Sequence, residues 1–189
     1  MPTQARAQKR ATKARTALLL IDFMNPLDFD GAQSLGPRAV RAASRAAELK
    51  KRMRARRAPV IYANDNFGRW EADFSAVVAD CERRGGASER MAKLLAPLHG
   101  DRSVLKPRHS AFFGTPLDFL LDELGVGRLV LAGLAADSCI MFTAHDAYLR
   151  KYELWIPGDC VASENDAWRR DALAYMARVM KARIDPLRS

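Results

Sequence analysis

Residues Arg128 to Ala162 read RLVLAGLAADSCIMFTAHDAYLRKYELWIPGDCVA, and this stretch decides the fold. Arg128 to Ala132 is a short apolar run rich in Leu and Val, which reads as a buried strand. Gly133 ends it, and Leu134 to Ser138 is a loop of small and polar residues. Ile140 to Arg150 has helical patterning, and Glu153 to Ile156 is a second strand closed by Pro157, Gly158 and Asp159. Strand, helix, strand is the repeating unit of a parallel sheet. Cys139 sits where the loop becomes the helix.

The first amides of a helix lack partners, and its axial dipole places partial positive charge there. Both favour a thiolate, so this placement predicts a thiol more acidic than a free one. An unpaired cysteine is also among the most buried residue types, and a purely structural thiol fits the same position. The stretch alone leaves both readings open.

Working outward, Thr16 to Phe23 (TALLLIDF) is an apolar strand that ends in a carboxylate, Asp22. Pro37 opens a long helix to about Arg57, with Val40, Ala43, Ala47, Leu49 and Met53 on its apolar side and its Arg and Lys residues facing out. Pro59 to Ala63 is a second strand. It runs into Asn64 to Trp70, a loop with two Asn, an Asp and two aromatics that suits a binding rim or a surface turn. Ser88 caps a short helix through Leu95. Ser103 to Lys106 is a strand stopped by Pro107, Thr115 caps a helix beginning at Pro116, and Asn165 to Ala182 forms the last helix. Strands alternating with helices over one domain predict an α/β fold: a three-layer α/β/α sandwich around a doubly wound, Rossmann-like, mostly parallel six-stranded sheet. A barrel needs eight such units and more residues.

The chain has 189 residues, 49% of them hydrophobic and 28% charged, which fits one globular domain. Residues 16–189 form that domain, and residues 1–15 form a basic, disordered tail. No apolar run is long enough to span a bilayer, and the basic start lacks the apolar stretch of a secretory signal. Three cysteines in no metal-binding spacing predict reduced thiols and a cytoplasmic location. Of the net charge of +9, the tail supplies five through Arg6, Lys9, Arg10, Lys13 and Arg15, leaving +4 for the rest. No aromatic interleaving or groove-binding motif accompanies it, so neither a specific nucleic-acid partner nor a membrane is expected.

Asp22, Lys106 and Cys139 each lie at or just past the end of a strand. In a parallel sheet those ends share one edge, where such folds place their ligands. With LLLIDFMNP (18–26), IYANDNFGRW (61–70), VLKPRHSAFFGTPLDFLL (104–121) and LAGLAADSCIMFTAHDAYLRKYELWIPGDCVAS (131–163) in order and spacing, the chain resembles the isochorismatase-like cysteine hydrolases. The resemblance implies a catalytic triad of Asp22 as general base, Lys106 as the cation supporting the thiolate, and Cys139 as nucleophile. It also implies a cis peptide between Leu134 and Ala135, and an oxyanion hole from the Ala135 and Cys139 amides.

Nicotinamidases of this superfamily hold a metal with an Asp and two His after the second strand, but NDNFGRWEADF has no His. Asp65 alone is a poor transition-metal site, so no metal and no cofactor are expected. The implied activity is hydrolysis of the C–N bond of a small-molecule amide, ureide or carbamoyl compound through a thioester. The alternatives are hydrolysis of a vinyl ether, as in siderophore isochorismatases, or a catalytically silent ligand-binding member. Phe23, Trp70, Phe112 and Phe113 are candidate substrate-pocket walls, with Asn25, Asn64 and Arg69 as polar contacts; each also suits simple packing. His109 is the histidine best placed to approach the site, and a hydrogen-bonding role in its loop competes with that. Family members commonly assemble, so a homo-oligomer, dimer or tetramer, is expected.

Overall fold

The computed structural model describes residues 15–188; most of the predicted N-terminal tail lies outside the described residues, and Arg15 opens the first strand. The strands are β1 (Arg15–Ile21), β2 (Val60–Asp65), β3 (Arg102–Lys106), β4 (Val126–Leu134), β5 (Glu153–Trp155) and β6 (Val161–Ala162). The helices are α1 (Ala32–Ala55), α2 (Phe74–Arg84), α3 (Gly86–Leu94), α4 (Leu117–Glu123), α5 (Met141–Leu149) and α6 (Asp166–Met180), and a π-helical turn, Ala136–Ile140, runs directly into α5. All strand pairings in the sheet are parallel, in the order β3-β2-β1-β4-β5, with β6 on β4 beyond β5.

Strand β1 shows why the sheet is covered on both faces. Leu18 and Leu20 pack with α1, α2 and α3 through Ala39, Ala43, Val77 and Met91, whereas Leu19 and Ile21 pack with Leu117, Leu121, Ile140 and Met176 on the other face. Successive side chains of a strand point to opposite faces, so an unbroken apolar run needs two helical layers. Each of these Leu and Ile side chains is 0–1% exposed and contributes about 1.5–3 kcal/mol by burial.

The chain leaves β1 toward β2 and β3, then returns to lay β4 on the other flank of β1. The crevice between the carboxyl ends of β1 and β4 is therefore the point where the winding reverses, the usual ligand position in such sheets. Asp22 follows β1, and the Cys139 turn follows β4. The two strands are close enough there that a Cβ on Gly133 would fall 2.0 Å from the Ile21 carbonyl oxygen, and Gly133 has φ +149°. Only glycine fits.

Several local expectations fail. Helix α1 starts at Ala32, with the Gly31 carbonyl taking the Ser34 and Leu35 amides at 3.0 Å each, so Pro37 lies inside the helix and does not open it. A proline ring clashes with the Cβ of the residue before it, and that residue is Gly36. The buried side of α1 is mostly alanine, at 39, 42, 43 and 46, while Val40 and Ala47 are only partly buried. Lys50 does not face out: it is 5% exposed, with its ammonium 2.9 Å from Asp101 and bonded to the Tyr62 hydroxyl at 2.6 Å. Ser88 is the third residue of α3, and its hydroxyl donates to the Asn25 carbonyl at 2.7 Å instead of capping the helix. No helix among the described residues is long and apolar enough to cross a membrane.

Candidate active site at the carboxyl edge of the sheet

Asp22 is the first residue beyond β1, and its backbone turns sharply there, with φ +53°. Its amide donates to the Ala63 carbonyl at 3.1 Å, which ties the turn to β2. Its carboxylate accepts the Asp65 amide at Oδ1 (2.7 Å) and meets the Lys106 ammonium at Oδ2 (2.8 Å). Asn64 fixes the same turn from below: its amide side chain exchanges hydrogen bonds with the Met24 backbone at 3.1 and 2.9 Å. Asn64 is thus consumed in building the site and has no free edge toward a substrate.

Lys106 ends β3 in register with Asp65 and is 0% exposed. Its ammonium lies 2.8 Å from Asp22, 3.6 Å from Asp65 Oδ2 and 3.6 Å from Cys139 Sγ. Cys139 is the fourth residue of the π-helical turn. The Ala135 carbonyl takes the amides of Ser138 and Ile140 at 3.1 Å each, straddling the cysteine. The Leu134–Ala135 peptide is cis. Ser163 donates to the Asp137 carboxylate and pins the turn to the end of β6. Three residues from three strand ends, distant in sequence, are thus brought together.

The electrostatics differ from the expected acidic thiol. Burial, and then the Asp22 carboxylate, push the Cys139 thiol up to about 12, against the weaker opposing pull of Lys106 and Ser138. At neutral pH the resting sulfur is a thiol. Burial raises the Asp22 carboxyl, opposed chiefly by the Lys106 charge. Burial lowers Lys106, but Asp22, Cys139 and Asp65 outweigh it and leave the ammonium above its ordinary value. Desolvation in this crevice outweighs both the helix-start dipole and the cation.

Of the remaining candidates, Trp70 (78% exposed) and Phe113 (60%) stand on the loops after β2 and β3, on the same edge as the triad. Phe23 is 1% exposed within the α1-side core, and the Asn25 side chain accepts the Leu27 amide at 2.9 Å within its own loop. Phe112 is buried, with the Arg150 guanidinium 4.8 Å from its ring centre. Arg69 pairs with Asp80 at 3.4 Å. Sequence reasoning gave Asp65 no part in the triad, although its amide and carboxylate touch two members; strand register with Lys106 was the signal. His109 reaches the sulfur, with Nδ1 at 3.8 Å. A cavity of about 830 Å³ lined by Arg15, Trp155 and Arg183 lies at the opposite edge of the sheet and contains none of these groups.

The Asp65 position does not suit a metal ion. One oxygen accepts the Phe67 amide at 2.7 Å and the other faces the Lys106 ammonium. Among the described residues no group of three or more His, Cys, Asp and Glu is arranged to hold one.

Comparison with known proteins follows the same lines. Residues 16–184 match the family model of the isochorismatase domain. An uncharacterized isochorismatase family protein of Bacillus subtilis, YaaI, is 37% identical over 173 residues, 92% of this chain and 94% of that protein. The ureidoacrylate amidohydrolase RutB of Klebsiella pneumoniae is 38% identical over 92 residues, 49% of this chain and 39% of its own length. The crystal structure of N-carbamoylsarcosine amidase from Thermoplasma acidophilum superposes with a TM-score of 0.72 at 28% identity, covering 92% of this chain and 96% of that one.

Proposed function

Because this chain belongs to the isochorismatase family and is a hydrolase, we propose that it cleaves the C–N bond of a small amide, ureide or carbamoyl compound through a thioester on Cys139. The observation that carries this is the Lys106 ammonium held between the Asp22 carboxylate at 2.8 Å and the Cys139 sulfur at 3.6 Å, in a crevice where Asp22 is 4% exposed. The relatives that hydrolyse a ureido acid and a carbamoyl amine by name support the substrate class.

The thiol, raised by burial, needs a base, and the buried Asp22 carboxylate beside it takes that role. Asp22 takes the proton from sulfur as the sulfur attacks the carbonyl, and Lys106 offsets the negative charge that passes between them. The amides of Ala135 and Cys139 hold the oxyanion, each worth about 3 kcal/mol in the transition state. The intermediate collapses to a thioester with loss of the amine, and water then releases the acid. Trp70 and Phe113 are the proposed walls of the substrate pocket. Exposed Phe113, Phe119 and Phe142 support assembly into a homo-oligomer, and three unpaired cysteines, two of them buried, support a cytoplasmic location.

The test is Cys139→Ala assayed against a panel of small amides, ureides and carbamoyl compounds. Turnover seen with the native enzyme is expected to vanish. Retained activity would rule out the thioester route, and a native enzyme inert on the whole panel would favour vinyl-ether hydrolysis or a ligand-binding role.

A further inference from the structure

We propose that His109 is a further catalytic residue, a second proton carrier beside Asp22, which moves the proton on the substrate side of Cys139; this rests on the cysteine-hydrolase reading above. The sulfur has two unlike sides. Asp22 and Lys106 reach it from the interior, 4% and 0% exposed, and both oxygens of Asp22 are already engaged, by the Asp65 amide and by Lys106. His109 is exposed and places Nδ1 3.8 Å from the sulfur.

That placement is built. The imidazole lies against Phe142, with ring centres 5.3 Å apart and planes tilted by 32°, and Phe142 is three residues beyond Cys139. The residues after His109 are fastened to α5, the helix that continues the cysteine's own turn. Ser110 donates to Asp146, the Ala111 amide donates to the Thr143 hydroxyl at 3.0 Å, and the Arg150 guanidinium stacks on Phe112. Imidazole and sulfur therefore ride on one rigid unit, and a substrate carbonyl on the sulfur puts its leaving nitrogen beside the histidine.

The protons then balance with two carriers. In acylation the thiol proton passes to Asp22, the S–C bond forms, and the C–N bond breaks as the His109 imidazolium protonates the leaving nitrogen. In deacylation the neutral imidazole takes a proton from water as the C–O bond forms. The C–S bond breaks, and Asp22 returns its proton to sulfur. Both groups end as they began, and one water has been divided between amine and acid.

The test uses 4-nitrophenyl acetate, whose leaving group needs no proton, so that the exposed imidazolium gives its proton to solvent before deacylation; it compares the full chain with its His109→Gln and His109→Asn variants. The variants are expected to acetylate at Cys139 at nearly the native rate and then to hydrolyse the thioester about 10²-fold more slowly. The acetyl-Cys139 peptide accumulates in the mass spectrum, and added imidazole restores part of the second step. A merely structural role would slow acetylation as well and would not respond to imidazole. Thioester hydrolysis at the native rate in both variants overturns the proposal. A native enzyme that never acetylates at Cys139 overturns the nucleophile assignment itself, and the histidine's role falls with it.

Discussion

Replacing Lys106 by Met keeps most of the side-chain volume and removes the charge that Asp22 was folded against. The pair is 2.8 Å apart, with side chains 0% and 6% exposed, so solvent cannot stand in for the lost cation. Breaking a buried pair by removing one partner costs about 3–5 kcal/mol. At about 2–4 °C per kcal/mol for a chain of this size, Tm should fall by roughly 6–20 °C. The pH dependence has a definite sign. Asp22 is already raised by burial, and losing Lys106, the largest opposing influence, raises it further. A carboxyl raised in the folded state stabilises fully below its unfolded value and progressively loses that contribution as pH climbs to the folded value. The variant should therefore lose more stability at pH 8 than at pH 5. Adding Asp22→Asn removes the stranded charge, so the double variant should regain most of the loss while remaining inactive. Urea unfolding of the native protein, the Lys106→Met and Asp22→Asn single variants and the double variant at both pH values measures this. A single-variant cost below about 1 kcal/mol, or a double variant no more stable than Lys106→Met, would refute the pairing argument.

Other consequences follow from particular contacts. With the Cys139 thiol pushed up to about 12, alkylation by iodoacetamide should keep rising by roughly tenfold per pH step from 8 to 11; a plateau near pH 9 would show an ordinary thiol. Gly133→Ala places a Cβ 2.0 Å from the Ile21 carbonyl oxygen and should cost at least about 3 kcal/mol in thermal or urea unfolding, where a loss within 1 kcal/mol would show that β1 and β4 separate easily. Asp101→Ala strands the buried Lys50 ammonium, 2.9 Å from it, and should cost about 3–5 kcal/mol. Asp185→Ala breaks the exposed pair with Arg183, at 3.0 Å, and should cost under about 1 kcal/mol by the same measurement; equal losses would contradict the burial argument.

The sheet was legible because its strands are unbroken apolar runs bounded by Pro, Gly or a carboxylate, as in β1 before Asp22 and β3 before Pro107. The three strand ends were legible for the same reason: a parallel sheet sends them all to one edge. Helix starts were not, since Gly36 let Pro37 sit inside α1 and Gly31 began the helix without a polar cap. Lys50 was misplaced because a lysine on a helix face usually points to solvent, and its partners, Asp101 and Tyr62, come from remote segments. The acidity of Cys139 was misjudged in sign. A helix start can be seen along one segment, whereas desolvation depends on everything packed around the sulfur. His109 lay thirty residues from Cys139 in sequence, and only the docking of its loop on α5 fixed its distance from the sulfur.

The central claim is that Cys139 carries the acyl group during turnover, and intact-mass and peptide spectra of enzyme quenched with acid during steady-state hydrolysis of the panel test it most directly. The account predicts an acyl adduct confined to the Cys139 peptide, absent from Cys139→Ala and from denatured protein. Turnover without any adduct there, or with the adduct on Cys81 or Cys160, would contradict it.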